Sequence, residues 1–131
     1  MDDVPIQSGD DVVRVRQRVR VAAAENGLSL VDQTKLVTAA SELARNTLVH
    51  GGGGAARIEV VKSPNGRAGV KLYFTDEGPG IADIDLALTD GWTTGNGLGL
   101  GLSGARRLVD EFELDSKPGA GTRVVVVKWS R

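Results

Sequence analysis

The chain has 131 residues, 40% of them apolar and 25% charged, which suits one compact domain that we expect to span residues 1–131. The net charge of −1 does not indicate nucleic-acid binding, and the absence of cysteine excludes disulfides, thiolate zinc sites and cysteine nucleophiles. The opening MDDVPIQ is unlike a signal peptide and no apolar stretch approaches the roughly 20 residues of a membrane span, so we expect a cytoplasmic protein.

The first quarter of the chain predicts a short strand and a helix. Residues 4–7 (VPIQ) form a plausible edge strand, and Ser8 and Asp11 have the spacing of a helix capping box. The following VVRVRQRVRV alternates with the period of a strand, but its valines also recur at i, i+3 and i+7. Because Gly27 suits the end of a helix, we predict a helix here.

A second and longer helix is predicted from about Val31 to His50. Ser29 and Asp32 repeat the capping spacing, and the run GGGG at 51–54 ends the helix. Its predicted buried face consists of Leu36, Val37, Ala40, Leu43, Ala44 and Leu48.

The second half of the chain predicts two hairpins separated by a long loop and a third helix. Alternating strands at 57–63 and 70–76 flank a Pro-Asn-Gly turn, and strands at 112–116 and 123–129 flank KPGAGT. Between the hairpins, LSGARRLVDEF at 102–112 predicts a helix with Phe112 facing inward. This order predicts an α/β two-layer sandwich, in which helices cover one face of a mixed, mostly antiparallel sheet.

The run TTGNGLGLGL at 93–102 precedes the third helix and has three interpretations. The first interpretation is a flexible surface loop, the second a dinucleotide fingerprint and the third a cradle for phosphate groups. The fingerprint requires a buried strand directly before it, which the preceding TDGWTTGNGL does not provide, so we reject that interpretation. Glycines allow backbone N–H groups to converge on an anion at the start of a helix, so the cradle remains open beside the loop.

Polar residues on the second helix suggest a partner for such a cradle. Glu42 and Asn46 are four residues apart and share one helical face, which His50 continues, while Arg45 lies beside them. A glutamate base and an asparagine carbonyl that binds Mg²⁺ would suit phosphoryl transfer. The alternative is an ordinary solvated stripe opposite the apolar face.

Two further segments carry acids and glycines at strand ends. Asp76 ends a predicted strand, where its carboxylate can accept a hydrogen bond from an adenine amino group while Gly78 and Gly80 let a ring approach. Gly121 and Thr122 begin the last strand. The alternative is that both segments are ordinary turns.

Taken together, ExxxN on a helix, DxGxG after a strand, GxGLGL before a helix and a late GxGT resemble the motifs of the GHKL ATPase superfamily. All four occur in order over essentially the whole chain, and the resemblance implies the Bergerat ATP-binding fold. The stretches LVDQTK, ASELARN, DEGPGI, GNGLGLGL, RRLVDEF and KWSR are similar to those of the anti-sigma and switch-protein serine kinases, above all the RsbT-like stressosome kinases.

The resemblance implies a role for each matching residue. Glu42 would be the general base, Asn46 the magnesium ligand and Asp76 the carboxylate that reads adenine. The positions that it associates with nucleotide binding are Arg45, Asn46, His50, Asp76, Gly78, Gly80, Ile81, Thr94, Gly95, Asn96, Gly97, Leu98, Gly99, Leu100, Gly101 and Thr122, with Gly121 in the last motif. GNGLGLGL fits GxGxG in more than one register, so the amides that face the phosphates stay unassigned.

The implied activity is transfer of phosphate from ATP, with Mg²⁺, to a serine of a STAS-domain antagonist protein. A downstream phosphatase or a sigma factor would be the alternative partner, and neither nucleic acid nor a membrane is expected to be one. The rival hypothesis is a nucleotide-gated anti-sigma or partner-binding module with little or no kinase activity, because one pocket serves both uses. A purely structural protein would leave the four motifs unexplained.

Overall fold

The computed structural model describes residues 2–80 and 101–131, in which helices and strands follow the predicted order. The elements are β1 (Asp2–Ile6), α1 (Gly9–Glu25), α2 (Leu30–Val49), β2 (Gly54–Lys62), β3 (Ala68–Asp76), α3 (Gly101–Arg107), β4 (Glu111–Ser116) and β5 (Thr122–Trp129). None of the helices in this described part is long and apolar enough to cross a membrane.

The described strands form one sheet in the order β1-β2-β3-β5-β4. Each neighbouring pair is antiparallel, so the prediction of a mixed sheet is wrong for this part of the chain. Strands that follow one another directly, as in the β2–β3 and β4–β5 hairpins, are joined by tight turns and therefore pair antiparallel. The two-layer sandwich itself is confirmed, with α1 and α2 packed on one face of the sheet.

The core lies between that sheet face and the helices. Val4, Ala56 and Phe74 lie in one row of paired residues, and Ile58 and Leu72 lie in the next. All are buried, because residues two apart on a strand point to the same face. The helices contribute a buried stripe that includes Val15, Val19, Leu36, Ala40 and Leu43. The apolar face predicted for α2 is therefore confirmed.

The helical interpretation of α1 is confirmed, but its predicted capping box does not form. The Ser8 side chain makes no capping hydrogen bond. Instead Asp11 accepts a hydrogen bond from the Gln7 N–H at 2.8 Å and pairs with Arg14 at 2.6 Å. At the other end Gly27 has φ 80°, the left-handed conformation that closes a helix and that glycine adopts without strain.

The start of α2 has a formed cap. Ser29 accepts a hydrogen bond from the Asp32 N–H at 3.1 Å, which satisfies one of the free donors of the first turn. The Asp32 carboxylate does not complete the box, because it lies 3.6 Å from Lys128 Nζ and 3.7 Å from Arg131 Nε. The glycine run ends the helix as predicted.

Helix α3 is shorter than predicted, because it ends at Arg107 and β4 begins at Glu111. Asp110 marks the change: its N–H donates to the Val127 carbonyl, and its carboxylate accepts from the Trp129 N–H at 2.7 Å. Phe112 is partly buried as expected, but it belongs to β4 and not to the helix. Pairing with β5 therefore overrides the helical pattern of the sequence.

Asp110 also joins a charged cluster at this end of the sheet. Its carboxylate lies 3.4 Å from Lys128 Nζ and 2.5 Å from Arg131 Nη2. Burial raises the pKa of Asp110, but the Trp129 N–H and the two cations lower it more, and the pKa lies below its ordinary value. The carboxylate therefore remains ionised and holds the end of β5.

We expect Ser29→Ala to lower the free energy of unfolding by about 1 kcal/mol, because the α2 cap is a formed hydrogen bond. Urea denaturation at neutral pH measures the change. Ser8→Ala is the matched control: Ser8 occupies the same helical position without a side-chain hydrogen bond, so its effect should be much smaller. Equal losses from the two substitutions would contradict this assignment.

Candidate functional site

The polar face of α2 forms one wall of the candidate site. Glu42, Asn46 and His50 lie in line along the helix, as predicted, and each is partly buried. Glu42 has 15% of its side chain exposed and lies 3.7 Å from Arg45 Nη1. The Asn46 side chain makes no hydrogen bond to a described residue. At 1.5 Å per residue, Glu42 and His50 are separated by about 12 Å along the helix, a length that an extended nucleoside triphosphate spans.

Asp76 closes the His50 end of this wall. Its Oδ1 atom accepts a hydrogen bond from the Gly78 N–H at 2.9 Å. The side chain packs directly on the backbone of Gly51, where a Cβ atom would lie 2.3 Å from Asp76 Cγ and 2.6 Å from Oδ2. Oδ2 accepts no hydrogen bond from a described residue. The structure therefore brings α2 and the DEGPG segment together, with one carboxylate oxygen available to a ligand.

Gly51 is the site residue that the sequence interpretation missed. The run GGGG was interpreted only as the end of α2, whereas Gly51 provides the space for the Asp76 side chain. A Cβ at Gly78 would also lie 2.7 Å from Gly51 Cα. Four successive glycines were the available signal, because a helix end needs no more than one of them.

The His50 side chain contains the one buried side-chain polar atom in the described residues that lacks a hydrogen-bond partner, Nε2. Burial lowers the pKa of His50, and the nearby charge of Asp76 only partly offsets this effect. The imidazole is therefore neutral at neutral pH. A neutral ring with an unsatisfied nitrogen beside Asp76 suits a polar ligand atom.

The β4–β5 turn supports Asp76 from the other side. Gly121 has φ 83°, and a Cβ there would lie 2.2 Å from the Asp76 carbonyl oxygen. Thr122 pairs with Asp76 across the sheet, and its hydroxyl lies 2.8 Å from that of Ser116. Gly80 packs equally closely on the same turn, where a Cβ would lie 2.0 Å from the Lys117 carbonyl oxygen. The late GxGT motif thus belongs to the same site.

Part of the predicted site lies outside the described residues. These positions are Ile81, Thr94, Gly95, Asn96, Gly97, Leu98, Gly99 and Leu100. Gly101 is described: it begins α3 with φ 67°, a conformation that favours glycine. The glycine run thus ends in a helix, α3, that packs against the helix carrying Glu42 and Asn46.

The described residues fit ATP as a ligand. The free Asp76 oxygen can accept a hydrogen bond, the glycines beside it leave room for a flat ring, and His50 Nε2 lacks a partner. No group of three or more His, Asp or Glu side chains in the described ranges could hold a metal ion alone. Among the described site residues, Asn46 offers a side-chain carbonyl, an oxygen ligand of the kind that Mg²⁺ accepts.

Comparisons with known proteins agree with this geometry. The family described as histidine kinase-, DNA gyrase B-, and HSP90-like ATPase matches residues 31–130. The chain is 45% identical to "Serine/threonine-protein kinase RsbT" of Bacillus subtilis over 98% of its length and 96% of the relative's. It is 30% identical to an "Anti-sigma F factor" of Thermoanaerobacter over 87% of its length and 82% of the relative's.

Solved structures share the fold. The RsbU and RsbW domains of Rv1364c from Mycobacterium tuberculosis match with a TM-score of 0.62 and 21% identity, over all of this chain and 33% of that one. The mycobacterial sensor histidine kinase MprB matches with a TM-score of 0.56 and 21% identity, over 99% of this chain and 97% of that one.

We expect Gly51→Ala to weaken ATP binding at least tenfold, about 1.4 kcal/mol, because its Cβ would displace the Asp76 side chain. Isothermal titration calorimetry with ATP measures the effect. Gly52→Ala is the control. It costs about 1 kcal/mol of stability at φ 71° but meets no atom within 4 Å, so ATP affinity should stay at the wild-type value. Unchanged affinity in Gly51→Ala would remove Asp76 from the nucleotide site.

His50 also predicts a pH dependence of stability. Its folded pKa lies below the unfolded value of about 6.5, so the unfolded chain takes up the proton first as the pH falls. The contribution is complete above about pH 7.5, begins to be lost as the pH falls through about 6.5, and is lost in full only below the folded pKa. Urea midpoints over this range should fall more for wild type than for His50→Gln. Parallel curves for the two proteins would contradict a buried neutral histidine.

Proposed function

The chain belongs to the histidine kinase-, DNA gyrase B- and HSP90-like ATPase family, and we propose that it is an ATP-dependent serine/threonine protein kinase of a partner-switching pathway. One observation carries the proposal. Glu42 and Asn46 lie on the face of α2 that ends at His50, where the Asp76 side chain packs on Gly51. This arrangement places an acid in the interior of the helix and a pocket for adenine about 12 Å away at its C-terminal end. Residues 1–131 would act as one ATPase domain.

Recognition of adenine is assigned to the DEGPG segment. Asp76 Oδ2 would accept a hydrogen bond from the adenine amino group, and Oδ1 is held in place by the Gly78 N–H. His50 would contribute its neutral Nε2 to the same end of the site, with Gly80 and Thr122 supporting the segment. Because these groups are fixed before binding, little ordering is needed to receive the base.

Phosphoryl transfer is assigned to Glu42 and Asn46, one to two turns before the C-terminal end of α2. ATP, when bound, would supply the phosphoryl group, and Mg²⁺ would neutralise the charge of the phosphates. Asn46 would hold the metal through its side-chain carbonyl, and Arg45 would face the phosphates. Glu42 would accept the proton of the serine hydroxyl while the oxygen of that hydroxyl forms the new bond to phosphorus and ADP leaves. The glycine run 95–101 would complete the phosphate site.

The substrate would be a serine on a STAS-domain antagonist protein, with a downstream phosphatase or a sigma factor as the alternative partner. Support comes from the kinase and anti-sigma relatives, which match most of the chain. A cytoplasmic location accords with these partners.

One observation favours a second candidate, a nucleotide-gated binding module without kinase activity. Glu42 lies 3.7 Å from the Arg45 guanidinium, and this contact would keep the carboxylate from a substrate hydroxyl. In that case ATP would only shape the surface that partners recognise.

The kinase proposal is tested by incubating the chain with labelled ATP, Mg²⁺ and candidate STAS-domain proteins, with transfer measured by mass spectrometry. Wild type should label a serine. Glu42→Ala should lose at least a hundredfold in rate, the low end for general-base catalysis, while binding ATP normally.

Glu25→Ala, an exposed glutamate at the end of α1, is the control and should transfer at the wild-type rate. Unchanged transfer in Glu42→Ala would exclude Glu42 as the base. Absence of transfer in wild type, together with ATP-dependent binding of the same partners, would favour the binding module.

A further inference from the structure

Helix α1 carries apolar side chains that its packing on the rest of the molecule does not use. The segment VVRVRQRVRV alternates valine with arginine, whereas a helix that buries one face needs apolar residues only at every third or fourth position. Val15 and Val19 are fully buried and belong to that inner face. Val13 and Val21 are 46% and 56% exposed. The helix therefore holds more valine than its core contacts require.

Val13, Gln17 and Val21 form one row along the outer side of α1. Successive members of the row are four residues apart, so they lie above one another on the side opposite the buried Val15 and Val19. All three side chains of the row are exposed, and no described element packs over them. Rows with this spacing are the ridges that pack into the groove of a neighbouring helix.

A small cleft lies beside the C-terminal half of the row. Its volume is about 260 Å³, and Val21 and Ala22 line it together with Gln17, Arg18 and Glu25. The two apolar side chains lie between polar ones, as in a pocket that receives an apolar anchor at an interface between proteins.

The row has positive charge on both of its sides. Acidic residues of α1 stand only at the two ends of the helix, and two arginines flank the row on each side: Arg14, Arg16, Arg18 and Arg20. Arg14 is paired with Asp11 at 2.6 Å. Arg16 and Arg20 form no ion pair with another residue in the described part of the chain. The outer face of α1, which we define as the row and these arginines, is thus a positive surface on a chain of net charge −1.

We propose that the outer face of α1 binds an acidic amphipathic helix of a protein partner. The apolar stripe of that helix lies along Val13 and Val21 and places one side chain in the cleft. Glutamate or aspartate beside the stripe meets Arg16 and Arg20. Coiled coils divide the work in the same way, because apolar residues form the seam and charges beside it select the partner. Arginine also pairs with carboxylates in a bidentate geometry, which adds specificity.

The composition of this face argues against three other occupants. A second copy of the chain that presented the same face would set its arginines against these, and like charges repel each other. Helices that bind membranes carry large apolar residues such as tryptophan, phenylalanine and leucine, whereas the exposed large apolar residues of α1 are two valines. A nucleic acid would contact the arginines through its phosphates and leave the valines without an apolar partner.

The proposal is tested on the full chain by fluorescence polarisation. The probe is a labelled helical peptide with leucine at every third or fourth position and glutamate beside each leucine. It should bind below about 1 mM, and more weakly as salt is added. Two control peptides should not bind: one with lysine in place of glutamate, and one of the same composition whose leucines no longer share one side. No nucleotide is added, so the result does not depend on the proposed kinase activity.

Substitutions on α1 should weaken binding of the acidic peptide. Arg16→Gln and Arg20→Gln should each lower the affinity about threefold to fivefold, and the double variant about tenfold or more. Val21→Ser should lower it about threefold to tenfold, because it removes apolar surface from the row and the cleft. Arg67→Gln, at an exposed arginine in the β2–β3 turn, is the matched control and should stay within about 1.5-fold of wild type. Urea midpoints separate loss of binding from loss of folding.

Several results would overturn the proposal. These are no binding of the acidic peptide up to about 1 mM, equal binding of either control peptide, or equal losses in Arg67→Gln and the double arginine variant. Binding to vesicles of equal parts phosphatidylcholine and phosphatidylserine that the double variant loses would assign this face to a membrane. Tighter binding of oligo-dT than of the acidic peptide would assign it to nucleic acid, and a dimer that the double variant dissociates would assign it to a second copy.

Discussion

The structure depends on the contact between the Asp76 side chain and the backbone of Gly51. This contact joins the end of α2 to the end of β3, and it is possible only because residue 51 has no Cβ. Gly78 and Gly121 also have no room for a Cβ, since each brings a backbone segment close to the Asp76 side chain or its carbonyl. The Gly78 N–H donates to Oδ1 of this carboxylate, and Oδ2 lies against Gly51.

Helix α2 extends away from this contact and carries Glu42 and Asn46, the other residues of the candidate site. The capped Ser29 end is held by Asp32, Lys128 and Arg131, and the other end stops against Asp76. Glu42 and Asn46 are thus held at fixed distances from the Asp76 carboxylate. The chemistry that we propose needs such spacing, because positioning and charge neutralisation supply most of the rate in phosphoryl transfer.

The sequence predicted most of this fold, and its errors have physical causes. Amphipathic periodicity identified α1, α2 and both hairpins, and alternate burial followed from it. The predicted third helix was too long, because LVDEF has a helical pattern but Asp110 bonds to the Trp129 backbone and draws the chain into β4. The Ser8 cap was wrong because Asp11 bonds to Gln7. The first error comes from a tertiary contact that no local pattern encodes. The second comes from a local contact, because Asp11 accepts from the N–H of Gln7 and not from that of Ser8.

The site was predictable in its residues but not in its packing. Spacing placed Glu42, Asn46 and His50 on one face, yet the role of Gly51 depends on where the distant Asp76 side chain lies. The most direct test is a crystal structure with a non-hydrolysable ATP analogue and Mg²⁺. The account predicts the adenine amino group on Asp76 Oδ2 and the metal on the Asn46 carbonyl. A nucleotide bound elsewhere, with Asp76 free, would contradict it.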